Sequence, residues 1–236
     1  MRIGYIINKF LKMLYIVATP IGNLKDITLR ALEVLRQVDI ILCEDTRVTI
    51  KLLNHYELTG KKLISYHHHT GDEKVAVLVD LIKDNKVALV TDAGTPGISD
   101  PGNKIIKALD QSIEIVPIPG ASAVTAALSI SGLPTDKFLF LGFVPHKKAR
   151  NKFLRQALAA ERTVIFYESP HRIIKCLEQM AALEKELNIK KQFVVCRELT
   201  KKFETVYRGT IDEVLRKIKN DFPNGKPLGE FVIVLA

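Results

Sequence analysis

Asp92-Ala93-Gly94-Thr95-Pro96-Gly97-Ile98-Ser99-Asp100-Pro101-Gly102 follows the apolar run that begins at Val87 and precedes a helix-like segment. Two shorter stretches share the pattern, Ala18-Thr19-Pro20-Ile21-Gly22-Asn23 and Pro117-Ile118-Pro119-Gly120-Ala121-Ser122-Ala123. Loops at the carboxyl ends of strands line the ligand crevice of an open α/β sheet. Glycine lets a backbone approach a ligand closely, and proline stiffens the turn. Three such loops in one half of the chain predict a preformed small-molecule pocket. Its expected lining is Pro20, Gly22, Asp92, Gly94, Thr95, Pro96, Ile98, Ser99, Pro119, Gly120, Ala121 and Ser122. The plainer alternative, ordinary βα connections, fits poorly with the length and turn-rich composition of the longest loop.

Outward from these loops the first half alternates. Strand-like runs at Leu14–Thr19, Asp39–Glu44, Lys62–Tyr66, Val87–Asp92 and Ile113–Ile118 are separated by helix-like stretches such as Ile27–Arg36 and Asp72–Lys83. Apolar residues three and four apart mark the helices: Leu29, Leu32 and Leu35 in one, Val75, Leu78, Leu81 and Ile82 in the other. This rhythm predicts a mostly parallel sheet with right-handed crossovers. Asp100-Pro101 reads as an N-cap followed by proline at the first helical position. The rhythm breaks near Ser131–Asp136. Beyond it, strands at Phe138–Val144 and Thr163–Tyr167 flank a basic helix, His146–Ala160, and Ser169-Pro170 opens another. Gln192–Glu198 and Glu204–Gly209 suggest an antiparallel hairpin, Thr210–Glu213 a capping box, and Glu230–Leu235 a last strand. The expected organisation is an extension over residues 1–13, an α/β domain with a mostly parallel sheet over 14–134, and an α/β domain with a mixed sheet over 135–236.

The chain has 236 residues and a formal net charge of +9. Residues 1–136 hold 15 basic and 15 acidic side chains, whereas residues 137–236 hold 20 and 11, so the excess lies in the second half. That asymmetry points to a polyanion such as nucleic acid, or to a lysine-rich solvated face. No apolar run approaches the ~20 residues of a membrane span, and no secretory signal is evident. Cys43, Cys176 and Cys196 are scattered without paired spacing, which argues for a reducing compartment and against a zinc site. A cytoplasmic location is expected, with neither membrane nor DNA as partner.

None of the loops is a dinucleotide fingerprint or a P-loop. Asp92 is placed to accept hydrogen bonds from ribose hydroxyls or a ligand ammonium. Pro119–Ser122 open the helical run Ala121–Ser131, whose free N–H groups suit a carboxylate. His67, His68 and His69 do not make a metal site, because neighbouring strand residues face opposite ways and no further ligands complete one. Glu44, Asp45 and Arg47 sit where the second strand run meets a helix; Asp45 reads as an N-cap with Arg47 exposed, or the group as part of a site. Glu168, His171 and Arg172 surround a helix start, and Arg197, Glu198 and Lys201 a strand end.

These loops, together with Leu14–Leu24, Cys43-Glu44-Asp45-Thr46-Arg47, Phe166–Arg172 and Arg197-Glu198-Leu199-Thr200-Lys201, resemble the tetrapyrrole methylase superfamily. Within it they are similar to the branch of bacterial 16S ribosomal RNA cytidine 2′-O-methyltransferases that act at the decoding centre. The resemblance runs from about Leu14 to the C-terminus. It implies S-adenosylmethionine (SAM) as cofactor, held in a cleft between two domains, the small ribosomal subunit as substrate, and a homodimer. Residues 1–12 lie outside the family pattern. The run His67–Glu73 departs from the family's His-x-His-Asn-Glu, so no role is carried onto Thr70 or Gly71.

A ribose hydroxyl is a poor nucleophile until deprotonated, so a positioned base is expected. Glu168, Glu198 and Asp45 are the candidates, with His171 as an outsider. Arg47, Lys147, Lys148, Arg150, Arg172, Arg197 and Lys201 are the expected phosphate contacts, which position RNA without reading its sequence. Two other readings are a tetrapyrrole C-methyltransferase and a non-catalytic RNA-binding assembly protein with a vestigial pocket. Intact glycines in all three loops weigh against the second of these.

Overall fold

The computed structural model describes residues 12–236. It resolves into two compact units, one comprising residues up to Pro20 with Leu24–Ala121, the other Ile21–Asn23 with Ser122–Ala236. Of the expected extension over residues 1–13, all but Lys12 and Met13 lie outside the described residues.

In the first unit, strands and helices alternate: β1 (Met13–Val17), α1 (Leu29–Gln37), β2 (Ile40–Cys43), α2 (Thr46–His55), β3 (Lys62–Ser65), α3 (Asp72–Asp84), β4 (Lys86–Leu89), α4 (Asn103–Ala108) and β5 (Glu114–Ile118). The strands form one parallel sheet in the order β3-β2-β4-β1-β5. The inner strand β2 is a continuous buried apolar run, as a sheet covered on both faces requires. The edges carry Lys62 on β3 and Glu114 and Pro117 on β5. Proline is tolerated there because an edge strand can do without its N–H.

The chain steps across the sheet through α1 and α2, then returns through α3 and α4. Right-handed crossovers therefore place the two helix pairs on opposite faces, and two cores form accordingly. Leu32, Leu35 and Leu53 pack with Val17 and Ile41. Val75, Leu78, Ile82 and Ile105 pack with Leu14, Ile16 and Leu42. The connections leaving the adjacent strands β1 and β4 diverge to opposite faces. A crevice opens at such a switch point, at the carboxyl ends of the strands.

Asp100-Pro101 does not open α4, contrary to the sequence expectation. The Gly97 N–H donates to the Pro101 carbonyl (3.2 Å), which closes a turn, and the helix starts only after Gly102.

The second unit begins with α5 (Ala123–Ser131) and continues with β6 (Phe138–Phe143), α6 (Lys148–Ala159), β7 (Thr163–Glu168), α7 (Ile173–Leu187), β8 (Phe193–Arg197), β9 (Thr205–Gly209), α8 (Ile211–Asp221) and β10 (Phe231–Leu235). Its sheet has the order β6-β7-β10-β8-β9, with β6 and β7 parallel and every other pair antiparallel. The last strand, Phe-Val-Ile-Val-Leu, lies in the middle and is buried throughout. Such β-branched and aromatic residues suit a central strand. Phe231, Ile233 and Leu235 join α6, α7 and α8 in one core. The helix α5 packs instead against β10 and β7. That packing draws α5 into the second unit, so the division falls at Ala121/Ser122, ahead of the break at Ser131–Asp136. The capping box is present: the Thr210 hydroxyl accepts from the Glu213 N–H, and the Glu213 carboxylate accepts from the Thr210 N–H.

Candidate functional site

Four strand ends of the first unit are laced together. Thr19 and Gly94 exchange backbone hydrogen bonds of 2.9 and 3.0 Å, joining the loops after β1 and β4. The Thr19 hydroxyl donates to the Thr91 carbonyl (3.0 Å), and the Ala18 N–H donates to the Ile118 carbonyl (3.2 Å). The Thr95 hydroxyl donates to the Ala121 carbonyl (3.3 Å), which ties the β4 loop to the β5 loop. The Asp45 N–H donates to the Asp92 carboxylate (3.0 Å), which ties in β2. Gly94 has φ of 83°, in the left-handed region where glycine is the natural residue. A methyl group added at Gly120 would lie 3.0 Å from the Ala18 Cβ, so this glycine lets the β1 and β5 loops meet.

The lacing brings together Pro20, Asp92, Gly94, Thr95, Pro96, Pro119, Gly120 and Ala121. Pro20, Gly94 and Pro96 are buried, while Asp92, Pro119 and Gly120 are exposed. Ile98 and Ser99 lie on the outer turn of the long loop, with Ile98 exposed and Ser99 at φ of 62°. Ser122 is the N-cap of α5 and makes no side-chain capping bond. The Thr91 hydroxyl is buried and has no hydrogen-bond partner among the described residues. An orphaned hydroxyl beside an exposed carboxylate and a glycine cradle suits a ligand rich in hydroxyl and amino groups, and SAM is such a ligand.

Gly22 belongs elsewhere. It was expected to give a cofactor room, but a side chain there would collide with Lys201 and Thr200 in its own unit. The neighbouring Asn23 N–H donates to the Thr200 hydroxyl (3.1 Å). The missing side chain at Gly22 therefore serves packing on the segment Leu199–Lys201.

The three carboxylates expected to act as base are all engaged. Asp45 caps α2, accepting from the Arg47 N–H, and its side chain pairs with the Arg47 guanidinium at 2.6 Å. The Arg47 side-chain and backbone donors hold its pKa down to about 2. For Glu198, burial works to raise the pKa, but the Glu230 N–H and the Lys201 ammonium keep it below the ordinary carboxylate value. Glu168 is fully buried, with Arg150 and Arg172 each at 2.7 Å and the Ser169 N–H at 2.8 Å. It does not stand at a solvent-facing rim: one oxygen is taken by Arg150, and the other by Arg172 and the Ser169 N–H.

Glu44, by contrast, is half-exposed. Burial and then the Asp92 charge raise its pKa, against His68, the Asp92 N–H and His67. Asp92, although exposed as a residue, has a partly desolvated carboxylate; that desolvation first, and the Asp45 charge further, raise its pKa, with the Asp45 N–H opposing. Glu44 was grouped with Asp45 and Arg47 at the strand end but was not among the base candidates.

The basic residues divide likewise. Lys147 and Lys148 are exposed, and the Arg47 side chain is 87% exposed. Arg150 is not a surface phosphate contact as expected: it is buried, donating to Gln179 and Glu168. Burying its charge requires that pairing. Arg197 spends its guanidinium on the Leu228 and Phe203 carbonyls, and Lys201 pairs with Glu198 and Glu230. His67, His68 and His69 lie in an exposed turn closed by Thr70, whose hydroxyl accepts from the His67 N–H.

Residues 13–215 match the family of tetrapyrrole (corrin/porphyrin) methylases. Among similar proteins is the ribosomal RNA small subunit methyltransferase I of Halalkalibacterium halodurans, 46% identical over 205 residues, covering 86% of this chain and 69% of the relative. The protein of the same name from Thermotoga maritima is 41% identical over 225 residues, covering 94% and 97%. The one from Escherichia coli O157:H7 is 44% identical over 225 residues, covering 94% and 77%. Solved structures share the fold. A diphthine synthase aligns with a TM-score of 0.71 at 19% identity, covering 95% of this chain and 90% of that one. A cobalt precorrin-4 methyltransferase from cobalamin biosynthesis aligns with a TM-score of 0.64 at 18% identity, covering 98% of each.

Proposed function

The chain belongs to the tetrapyrrole methylase family, and from that premise we propose that it methylates ribosomal RNA of the small subunit, with SAM as methyl donor. The finer assignment within this proposal is the ribose 2′-oxygen of a cytidine in the decoding centre of 16S rRNA. The observation that carries the rRNA-methylation reading is the run of relatives named ribosomal RNA small subunit methyltransferase I, from 41% to 47% identical over nearly the whole chain; the cytidine 2′-oxygen rests on the motif resemblance alone. The basic excess in residues 137–236 supports a polyanionic substrate. A homodimer acting in the cytoplasm belongs to the same proposal.

SAM, when bound, supplies a methyl group on a sulfonium, so the protein's task is to bind and align. The crown of the first unit suits it. The Asp92 carboxylate would accept hydrogen bonds from ribose hydroxyls or the ammonium, the Thr91 hydroxyl has no partner among the described residues, and the left-handed turn at Gly94 and the close loop approach at Gly120 shape the crown around them. Removal of the 2′-hydroxyl proton falls to Glu44, the half-exposed carboxylate at the end of β2 whose pKa is raised by burial and by the Asp92 charge. Glu168 is assigned to architecture, and Glu198 and Asp45 to holding Lys201 and Arg47.

Tetrapyrrole C-methylation is the competing reading, because the fold also carries that chemistry. Incubating the protein with SAM labelled in its methyl group and with unmodified small subunits separates the two. Label recovered as 2′-O-methylcytidine after nuclease digestion supports the proposal. Label absent from RNA counts against it.

A further inference from the structure

Two helices of the second unit start at the carboxyl ends of the parallel neighbours β6 and β7. Neither α6 nor α7 has an acidic residue in its first turn, and neither has a side-chain cap. Cations stand there instead: Lys147, Lys148 and Arg150 at α6, Arg172 and Lys175 at α7. A helix N-terminus carries partial positive charge and free N–H groups, so cations there are unfavourable unless an anion joins them. The helix α8 in the same unit does the opposite, with Asp212, Glu213 and a full capping box.

The two starts are bridged by a polar network. Arg150 donates from Nε to Gln179 and from Nη1 to Glu168, each at 2.7 Å. The other Glu168 oxygen holds Arg172 Nη2 at 2.7 Å, and Arg172 Nε donates to the Ser169 hydroxyl at 3.1 Å. Arg172 Nη1 lies 3.3 Å from the His146 ring. One carboxylate serves two guanidiniums, which leaves one positive charge over. Arg150 Nη2 is buried and has no hydrogen-bond partner among the described residues, although Arg150 is only 8% exposed. The Arg172 side chain, 22% exposed, reaches the surface between the exposed residues His146, Lys147 and His171.

We propose that the starts of α6 and α7 form a phosphate subsite for the RNA backbone, with donors from His146, Lys147 and Arg172, and with the buried Arg150–Glu168 pair as positioning residues that fix Arg172. The subsite rests on the rRNA-methylation reading above. A phosphodiester matches a fixed guanidinium fork, and the carboxylate behind the fork sets its plane.

The test uses the full-length protein and isolated small subunits, with affinity measured across a salt series. Arg172→Ala weakens binding about tenfold or more, the loss expected for a charge-assisted hydrogen bond. It also flattens the dependence of log affinity on log salt by ~0.7 to 0.9 for one lost phosphate contact, and leaves SAM affinity unchanged. Arg172→Lys restores the slope but only part of the affinity. The decisive variant is Arg150→Met with Glu168→Gln, which removes both buried charges together and so avoids leaving one of them bare. It flattens the slope as Arg172→Ala does, although neither residue binds RNA itself. A folded double variant with the wild-type slope would overturn the positioning role. Inorganic phosphate that raises the wild-type Tm but not that of Arg172→Ala, with subunit binding equal in both, would assign the site to free phosphate and overturn the RNA subsite. Failure of the wild-type protein to methylate small subunits would instead remove the underlying reading, an outcome distinct from loss of the subsite.

Discussion

The backbone N–H of Asp45 donates to the carboxylate of Asp92 across 3.0 Å, joining the end of β2 to the loop after β4. The same two residues titrate in opposite directions. Asp45 is held down to about 2 by the Arg47 donors. Asp92 is raised by burial first, with the Asp45 charge adding to it and the Asp45 N–H opposing. In the proposed function this carboxylate is the group that receives the ligand's hydroxyl or ammonium donors.

Asp92→Asn therefore separates function from fold. A raised native pKa means that the Asp92 contribution to stability is present below its unfolded value and is lost as pH rises through the folded one. At neutral pH the ionised group no longer helps, so the amide variant keeps or raises the wild-type Tm while SAM binding falls sharply. Asp45 has the reverse sign. Its contribution is present above the unfolded value and disappears as pH falls through about 2. Calorimetric titration with SAM and a thermal melt at pH 7 check both halves, and a lower Tm with intact SAM binding would make Asp92 a structural residue.

Gly120→Val and Gly94→Val both lose SAM binding, and both also lose stability. At Gly120 the new side chain meets Ala18, and overpacking of this kind costs about 1–3 kcal/mol. At Gly94 the φ of 83° suits no β-branched residue, and a strained backbone costs about 1–3 kcal/mol. Chemical denaturation beside a binding isotherm measures the two effects together. Retained SAM affinity in either folded variant would remove that loop from the site.

Glu44→Gln and Glu168→Gln fail in different ways. The first keeps its shape and loses its basicity, so single-turnover methylation drops by ~10²–10⁴ while the Tm holds. The second strips the partner from two guanidiniums in a buried network, and breaking such a pair costs about 3–5 kcal/mol. A normal rate in Glu44→Gln, or an unchanged Tm in Glu168→Gln, would contradict the roles given to them.

Much of this architecture was readable from residue spacing. Leu32 and Leu35 of α1 and Val75, Leu78 and Ile82 of α3 announced their buried faces through helical periodicity, although Leu29, the first of the α1 series, is exposed at the helix start and Leu81 is only partly buried, and the Thr210–Glu213 box announced α8. These are local signals. The strand order was not readable, because it depends on which distant strands pair. Nor was the start of α4, where a backbone hydrogen bond from Gly97 to Pro101 outweighed the local preference of Asp-Pro for a helix start. Arg150 looked like one more cation on a basic helix. Its burial follows from Glu168 and Gln179, which lie 18 and 29 residues away in the chain. For Glu168 the local partners Ser169 and Arg172 were in view, whereas the second guanidinium, Arg150, lies 18 residues away and was not.

Mass spectrometry of 16S rRNA tests the central claim most directly. The RNA comes from a strain lacking this gene and from the same strain complemented with either the wild-type or the Asp92→Asn protein. The account predicts that one ribose-methylated cytidine of the decoding centre is absent in the deletion strain, returns with the wild-type protein, and does not return with Asp92→Asn. An unchanged rRNA methylation pattern in the deletion strain, or full restoration by Asp92→Asn, would contradict it.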